Sequence, residues 1–289
     1  MPEMKSEETS NTALTVLVLT YNEEKNLGTC LKSVQGIARE IIVVDSFSTD
    51  TTKDIAGMYG AKLVTHEFEN QADQTNWALG NVEMKGDWIL RIDADEYLTK
   101  ELAEEIKKTL PIAKEEITGY EMKRRVHFLG TWVRHGGYYP IWHLRLWRKN
   151  KAHYEEREVD EHVNLLEGKA ERLRHDFVDD NKNGIGEWIK KHNTYAEREA
   201  REALKMENPP SPPPPPPQAD SARQSKKQSF YYKLPMFWRA RIYYWYRMIF
   251  RLGIFDKKEA RLFHYLQAYW YRMLIDAKLY EERKRNERN

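Results

Sequence analysis

Between residues 14 and 93, short β-branched runs alternate with segments of helical spacing, and this alternation constrains the fold more than any other feature of the chain. Leu14-Thr15-Val16-Leu17-Val18-Leu19-Thr20 has the length of a buried strand, and Leu27, Leu31 and Val34 then recur at helical spacing. Glu40 to Asp45 reads as a second strand. A helix follows that Ser48 or Asp50 can cap, with Ile55 and Tyr59 inward and Gly60 as its stop. Ala61 to Thr65 gives a third strand, Gln71 to about Asn81 a third helix, and Asp87 to Asp93 a fourth strand. Strands that are apolar on both faces and separated by helices predict an α/β fold, a mainly parallel sheet covered on both sides.

Ligands of such sheets bind beyond the carboxyl ends of the strands, so the residues there carry the functional reading. No Gly-x-Gly-x-x-Gly follows the first strand. Its place is taken by Thr20-Tyr21-Asn22-Glu23-Glu24, which argues against dinucleotide binding, and a Walker loop is absent as well. The fourth strand runs into Asp93-Ala94-Asp95-Glu96. In extended chain Asp93 and Asp95 face one side and can offer two carboxylates to a Mg²⁺ or Mn²⁺ ion, leaving positions open for phosphate oxygens. The use of such an ion is to neutralise a departing diphosphate. The competing reading is an acidic loop that caps the next helix. Asp45 ends the second strand at the same edge and can accept from the imide N–H of uracil, with Thr20, Tyr21 or Glu23 flanking base or ribose; Asp50 is as readily a helix cap as a ligand contact.

Beyond about residue 111 the periodicity weakens and irregular β-structure is expected, followed by a helix from about Gly186 to Met206. Pro209, Pro210 and the run from Pro212 to Pro217 force extended polyproline, so residues 207–229 read as a linker, with an SH3-type ligand as the sharper alternative. Charge divides the chain too: residues 220–289 hold 17 Lys/Arg against 7 Asp/Glu, leaving 30 against 38 for residues 1–219. Phe230 to Tyr280 holds 17 of the 35 aromatic residues, with Arg239, Arg241, Arg247 and Arg251 interrupting it, so a spanning helix is not expected. An amphipathic helical pair on an anionic membrane surface, turning at Gly253 to Asp256, fits this pattern. The alternative is a hairpin packed on the catalytic domain with its arginines snorkelling. No nucleic-acid module is recognised. The polar first ten residues lack the apolar stretch of a secretory signal, and Cys30 alone cannot form an intrachain disulfide; both point to the cytosol.

Thr20-Tyr21-Asn22-Glu23-Glu24, Val43-Val44-Asp45-Ser46-Phe47-Ser48-Thr49-Asp50 and Asp93-Ala94-Asp95-Glu96, in that order and spacing, resemble the motifs of family 2 glycosyltransferases of GT-A fold. Gln71, Gln74, Asn76 and Trp77, then Trp142 to Arg148, Val159 to His162, Arg174-His175-Asp176 and the aromatic tail resemble the branch of lipopolysaccharide core β-1,4-glucosyltransferases and related capsule or exopolysaccharide enzymes. The resemblance covers nearly the whole chain except its first ten residues and the proline linker. It implies an inverting displacement that moves a hexose, glucose being the expected one, from a UDP-sugar to a lipid-linked saccharide, with Mn²⁺ or Mg²⁺, on the cytoplasmic face of the membrane.

On the same basis Gly136-Gly137 forms the glycine loop, and Asp160-Glu161 is the acidic pair that supplies the base, Glu161 matching the shared acid. Asp95 and His175 become metal ligands. Thr20, Tyr21, Glu23, Asp45, Gln74, Asp93 and Arg145 become nucleotide-sugar contacts. Arg148 is a further phosphate contact, and Trp142 and Trp147 offer sugar platforms; alternation with Leu144 and Leu146 also reads as an ordinary strand. Gln74 and Asn76 cannot share a helix face, so at most one touches the nucleotide. The expected domains are 1–12, a disordered terminus; 13–206, the transferase; 207–229, the linker; and 230–289, the membrane-surface extension. A polyprenyl-phosphate sugar synthase, a metal-dependent phosphohydrolase and a non-catalytic nucleotide-binding membrane scaffold are the rival readings.

Overall fold

The structure is a computed structural model and describes residues 13–155, 163–207 and 231–287. The expected linker and the Asp160-Glu161 pair lie outside these residues. The chain separates into two compact units, one made of residues up to Gly130 with Tyr139–Lys182, the other of Thr131–Tyr138 with residues from Asn183 on. The helix from residue 184, expected as the end of the transferase domain, belongs to the second unit.

In the first unit, strands β1 (Leu14–Thr20), β2 (Glu40–Asp45), β3 (Lys62–Thr65) and β4 (Trp88–Asp93) are parallel in the order β3-β2-β1-β4. Alternation along β1 fills both faces. Leu14, Val16 and Val18 pack in one apolar cluster with Leu27, Leu31 and Val34 of α1 (Leu27–Val34), and Leu17 and Leu19 join Ile42, Val44 and Ala78 in the other. Helix α2 (Thr52–Met58) stops at Gly60, whose φ of +67° suits glycine. Helix α3 (Gln71–Asn81) matches its expected span and starts where the Asn70 side chain accepts from Asp73 N at 2.7 Å. Gly86 lets the chain into β4, since a Cβ there would lie 2.4 Å from Thr15 N.

The rest of the sheet is more regular than its weak periodicity suggests. Strand β5 (Glu96–Leu98) and helix α4 (Lys100–Thr109), capped by Thr99, lead to the long strand β6 (Ile117–Phe128). Strand β7 (Thr131–Trp132) falls in the second unit; the first continues with β8 (Trp142–Arg148), with β9 (Ala152–Tyr154) and β10 (Val163–Leu165), which pair with each other as a separate two-stranded sheet, and with β11 (Lys169–Asp179). The sheet continues from β4 as β8-β6-β11-β5, with β8 antiparallel to both neighbours, β6 and β11 parallel, and β5 antiparallel to β11.

The second unit holds α5 (Gly184–Glu207), α6 (Trp238–Trp245), which continues as a wider π turn through Phe250, α7 (Lys258–His264) and α8 (Tyr271–Asn286). Ala196, Ala200 and Ala203 of α5 meet Tyr271, Ile275 and Leu279 of α8, small side chains admitting large ones. The expected turn is present: Leu252 is left-handed (φ +60°) and Gly253–Phe255 forms one tight turn. Among the described residues no helix is long and apolar enough to cross a membrane.

Candidate active site

Parallel pairing sets Thr20 beside Asp45 and Leu19 beside Asp93, so three strand ends carrying the motif residues meet at one edge. Asp45 is fully buried there. Its carboxylate accepts from Thr20 Oγ1 at 3.2 Å, from Ser48 N at 2.9 Å and from Ser48 Oγ, with Lys53 Nζ at 3.9 Å. Ser48 Oγ also accepts from Asn22 N at 2.8 Å, Asn22 Oδ1 accepts from Thr49 N at 2.9 Å, and Thr52 Oγ1 accepts from Glu23 N at 2.8 Å. These bonds stitch the loops after β1 and β2 into one ledge. Asp45, expected as an imide acceptor, is in this structure the pin of that ledge. Thr20 is buried against it, and the Glu23 carboxylate accepts from Asn26 Nδ2 at 2.6 Å.

From this ledge Tyr21 and Phe47 stand out, 58% and 57% exposed. Phe47 has φ +61°, a conformation a bulky side chain rarely adopts, and sits between two serines that are buried. Strain held by the surrounding hydrogen bonds, beside the other motif residues, makes Phe47 a candidate functional position. In the sequence Phe47 stands out only as part of a motif, although an aromatic between two serines just past a buried strand has nothing of its own to pack into.

At the end of β4 two arginines meet two carboxylates. Arg91 Nη1 donates to Asp93 Oδ2 at 3.0 Å and its Nη2 lies 2.8 Å from Oδ1; Arg145 Nη2 reaches Asp93 Oδ2 at 3.2 Å and Glu96 Oε1 at 2.7 Å. Glu96 Oε2 accepts from Asp93 N at 2.9 Å. Burial, with the Asp93 charge beside it, pushes the Glu96 carboxyl well above the usual range, against the pull of Arg91. Arg145, expected on the diphosphate, is buried here and holds these two acids. Gln71 Nε2 approaches Asp93 Oδ1 at 3.5 Å.

Asp95 faces elsewhere. It is partly exposed, with Asn181 Nδ2 on Oδ2 at 2.8 Å and Asp180 N on its carbonyl at 2.9 Å. A carboxylate at an open strand end is a suitable donor for a hard divalent cation. The structure does not bring His175 to it. Register pairs Asp179 with Glu96 and Phe177 with Leu98, which carries His175 away along β11 to Glu105 of α4, where Nδ1 and Oε2 lie 2.8 Å apart. Among the described residues no three His, Cys, Asp or Glu gather as a metal cage.

Other residues expected at the ligand have partners within the protein. Gln74 is buried and donates from Nε2 to Ser46 Oγ at 2.7 Å and Val44 O at 3.3 Å. Asn76 brackets Tyr154, accepting from its N at 3.1 Å and donating to its O at 3.0 Å, while Trp77 stacks on His66 at 4.3 Å. Trp147 is fully buried, and Arg148 lies over Trp88 at 4.5 Å and donates to Ile117 O at 3.0 Å. Trp142 is covered by the Lys123 and Arg172 cations at 5.6 and 4.6 Å. The Gly136-Gly137 loop belongs to the second unit, with Gly136 N donating to Arg251 O at 2.8 Å and Gly136 O accepting from Arg247 Nε at 3.0 Å.

Residues 15–164 match the family model described as glycosyl transferase family 2, more than half of the chain. The chain belongs to that family. As a family 2 transferase it has the α/β, GT-A class of fold: a mostly parallel sheet flanked by helices, with a helical C-terminal region. It is 44% identical over 94 residues to an uncharacterized glycosyltransferase of Rickettsia bellii (strain RML369-C), covering 32% of this chain and 31% of that one. It is 32% identical over 147 residues to the lipopolysaccharide core biosynthesis glycosyltransferase LpsC of Rhizobium meliloti (strain 1021), covering 49% and 53%. The family 2 transferase thus spans about a third to a half of the length of these relatives. Among solved structures it is similar to S. aureus TarS, with a TM-score of 0.41 at 18% identity over 63% of this chain and 39% of that one.

Proposed function

We propose that the chain transfers a hexose, glucose in the first instance, from a UDP-sugar to a lipid-linked saccharide of the lipopolysaccharide or exopolysaccharide kind, with inversion, at the cytoplasmic face of a membrane. The observation that carries this reading is the ledge itself: exposed Tyr21 and Phe47 stand on rigidly bonded loops, at the same sheet edge where Asp93 ends β4 and Asp95 lies in the turn after it. Family membership and the similarity to LpsC support the reaction class and the acceptor class.

In this reading the base and ribose rest on Tyr21 and Phe47, while Thr20, Glu23, Asp45 and Gln74 keep the ledge in shape. Asp95 would hold Mn²⁺ or Mg²⁺, which when bound neutralises charge on the departing diphosphate. Arg91, Arg145 and Glu96 hold Asp93 beside it. The acceptor hydroxyl proton passes to a carboxylate as the anomeric bond breaks; Glu161, with Asp160 as its alternative, is the proposed base.

Calorimetric titration of UDP and of GDP, each with and without Mn²⁺, tests the donor site. Metal-dependent UDP binding is the expected result. A preference for GDP points to a mannose-type donor and a polyprenyl-phosphate synthase. UDP-sugar cleavage without transfer to any acceptor favours a hydrolase, and binding without turnover a scaffold.

A further inference from the structure

The second unit is built inside out along α6. Its inward positions are Arg239, Ala240, Arg247 and Met248, all buried, whereas Trp238, Ile242, Trp245 and Ile249, at helical spacings of four, three and four, face solvent. The turn that follows continues this outward face: Phe250 and Phe255 are 76% and 74% exposed, and Leu252 and Ile254 about half. A soluble surface scatters such side chains singly; a contiguous apolar strip of this kind marks an interaction site.

The strip is not left over from incomplete packing, because the charged interior beneath it is satisfied. Arg239 binds Asp276 through Nε at 2.7 Å and through Nη2, and lies over the Tyr232 ring at 4.5 Å. Arg247 donates to Gln267 Oε1 at 2.6 Å and lies 2.8 Å from His264 Nδ1 and 4.3 Å over Tyr138, while His264 Nε2 reaches Asp256 at 2.9 Å and Asp256 also takes His135 Nδ1 at 2.7 Å. With every inward cation held, the helix cannot roll to hide its tryptophans.

Charge names the partner. Arg241, Arg251, Lys257, Lys258 and Arg261 are exposed around the strip. The carboxylates of the same stretch are Asp256, buried under the two histidines, and Glu259, partly covered and facing Lys258 at 3.7 Å. A second copy docking face to face would set these cations against their own images. Ile242, Ile249, Leu252 and Ile254 interrupt the rings of Trp238, Trp245, Phe250 and Phe255, so the strip is no continuous stacking platform for bases. Aromatic and aliphatic side chains rimmed by Arg and Lys suit a surface with an apolar interior and anionic head groups.

We propose that the outward face of α6 and the turn Phe250–Phe255 form the docking surface for an anionic lipid bilayer, the turn entering the head-group layer and the helix lying in its plane. The proposal refines the membrane-surface reading above by naming the element that makes contact.

The test is co-sedimentation of the full chain with vesicles of phosphatidylcholine alone and of equal parts phosphatidylcholine and phosphatidylglycerol, with UDP binding measured separately without vesicles. The expected result is binding to the anionic vesicles only. The Phe250→Ser/Phe255→Ser variant should bind them about tenfold more weakly or worse, and Lys257→Gln or Lys258→Gln about fivefold more weakly each. Far-UV circular dichroism and thermal unfolding like those of the wild type show that the variants are folded. Equal binding to both vesicle types, no binding by the wild type, or unchanged binding by the double-serine variant overturns the proposal. So does a dimer in sedimentation velocity that this variant dissolves, which would assign the strip to a second copy. Vesicle binding lost with UDP binding intact fails this proposal alone, whereas vesicle binding intact with no UDP binding fails the donor reading and leaves the surface standing.

Discussion

Replacing Phe47 by glycine separates stability from binding at the ledge, because the two should respond differently. The wild-type residue holds φ +61°, which costs an L-residue about 1–2 kcal/mol and glycine nothing. The ring is 57% exposed, so its removal forfeits under half of the about 1.5–3 kcal/mol that full burial of Phe is worth. Glycine also adds about 0.4–1 kcal/mol of unfolded-chain freedom. These contributions cancel to within about 1 kcal/mol, and urea unfolding should find stability nearly unchanged. Binding should not stay level. If the ring supports the nucleobase, its loss removes about 1–3 kcal/mol of stacking and weakens UDP about 5- to 150-fold in calorimetry. Phe47→Ala keeps the left-handed backbone and loses the ring, so it should lose the same affinity and be less stable than the glycine variant. UDP affinity in Phe47→Gly within about twofold of wild type would refute the stacking role, since that is under 0.5 kcal/mol. A stability loss well beyond about 2 kcal/mol would refute the strain reasoning.

Asp95→Asn keeps an acceptor for Asn181 and should leave unfolding unchanged while abolishing the Mn²⁺ dependence of UDP binding; unchanged affinity with the metal would remove Asp95 from the metal site. Asp276→Asn leaves Arg239 buried without its counter-charge and should destabilise the second unit by about 3–5 kcal/mol, read as faster amide exchange in Trp238–Trp245 with UDP binding retained. His192 stacks on Trp188 at 3.5 Å, and burial pushes its pKa down to about 4. The unfolded chain then takes a proton that the folded chain refuses. Stability is therefore full above about pH 6.5 and falls toward pH 4 by at most about 3 kcal/mol, less for solvent screening of a partly exposed ring. His192→Phe should flatten that slope in unfolding measured across the same range.

The parallel half of the sheet was legible because its central strands are apolar on both faces and end in polar motifs at one edge. Strand β5 was not, because Glu96-Tyr97-Leu98 continues directly from the acidic motif and reads as loop. Strand β11 was equally hard to see, since much of its first half is charged and exposed. That omission misplaced His175: only the pairing of Asp179 with Glu96 shows that the histidine runs toward Glu105 and that Asp180 arrives at Asp95. From the Gln71 to Trp77 motif, the resemblance assigns the polar Gln74 to the nucleotide. Burial turns the same polarity inward, where Gln74 ties α3 to the end of β2 and Asn76 holds β9.

In extended chain Asp93 and Asp95 would share a side, but β4 ends at Asp93 and Ala94-Asp95 forms a turn, so the two carboxylates part. Asp93 has a guanidinium on each flank, and Arg145 is itself divided between Asp93 and Glu96, so the Asp93 charge is balanced by the protein before any ligand arrives. A cation placed there would have to displace buried ion pairs, and breaking such a pair costs several kcal/mol. Asp95, two residues on, has neutral amide donors as its hydrogen-bond partners among the described residues and is reached by solvent. On the proposed reading, Asp95 rather than Asp93 would therefore hold a divalent cation. Asp93, fixed by arginines whose partners are already placed, sets the position and slope of the strand end from which Asp95 extends.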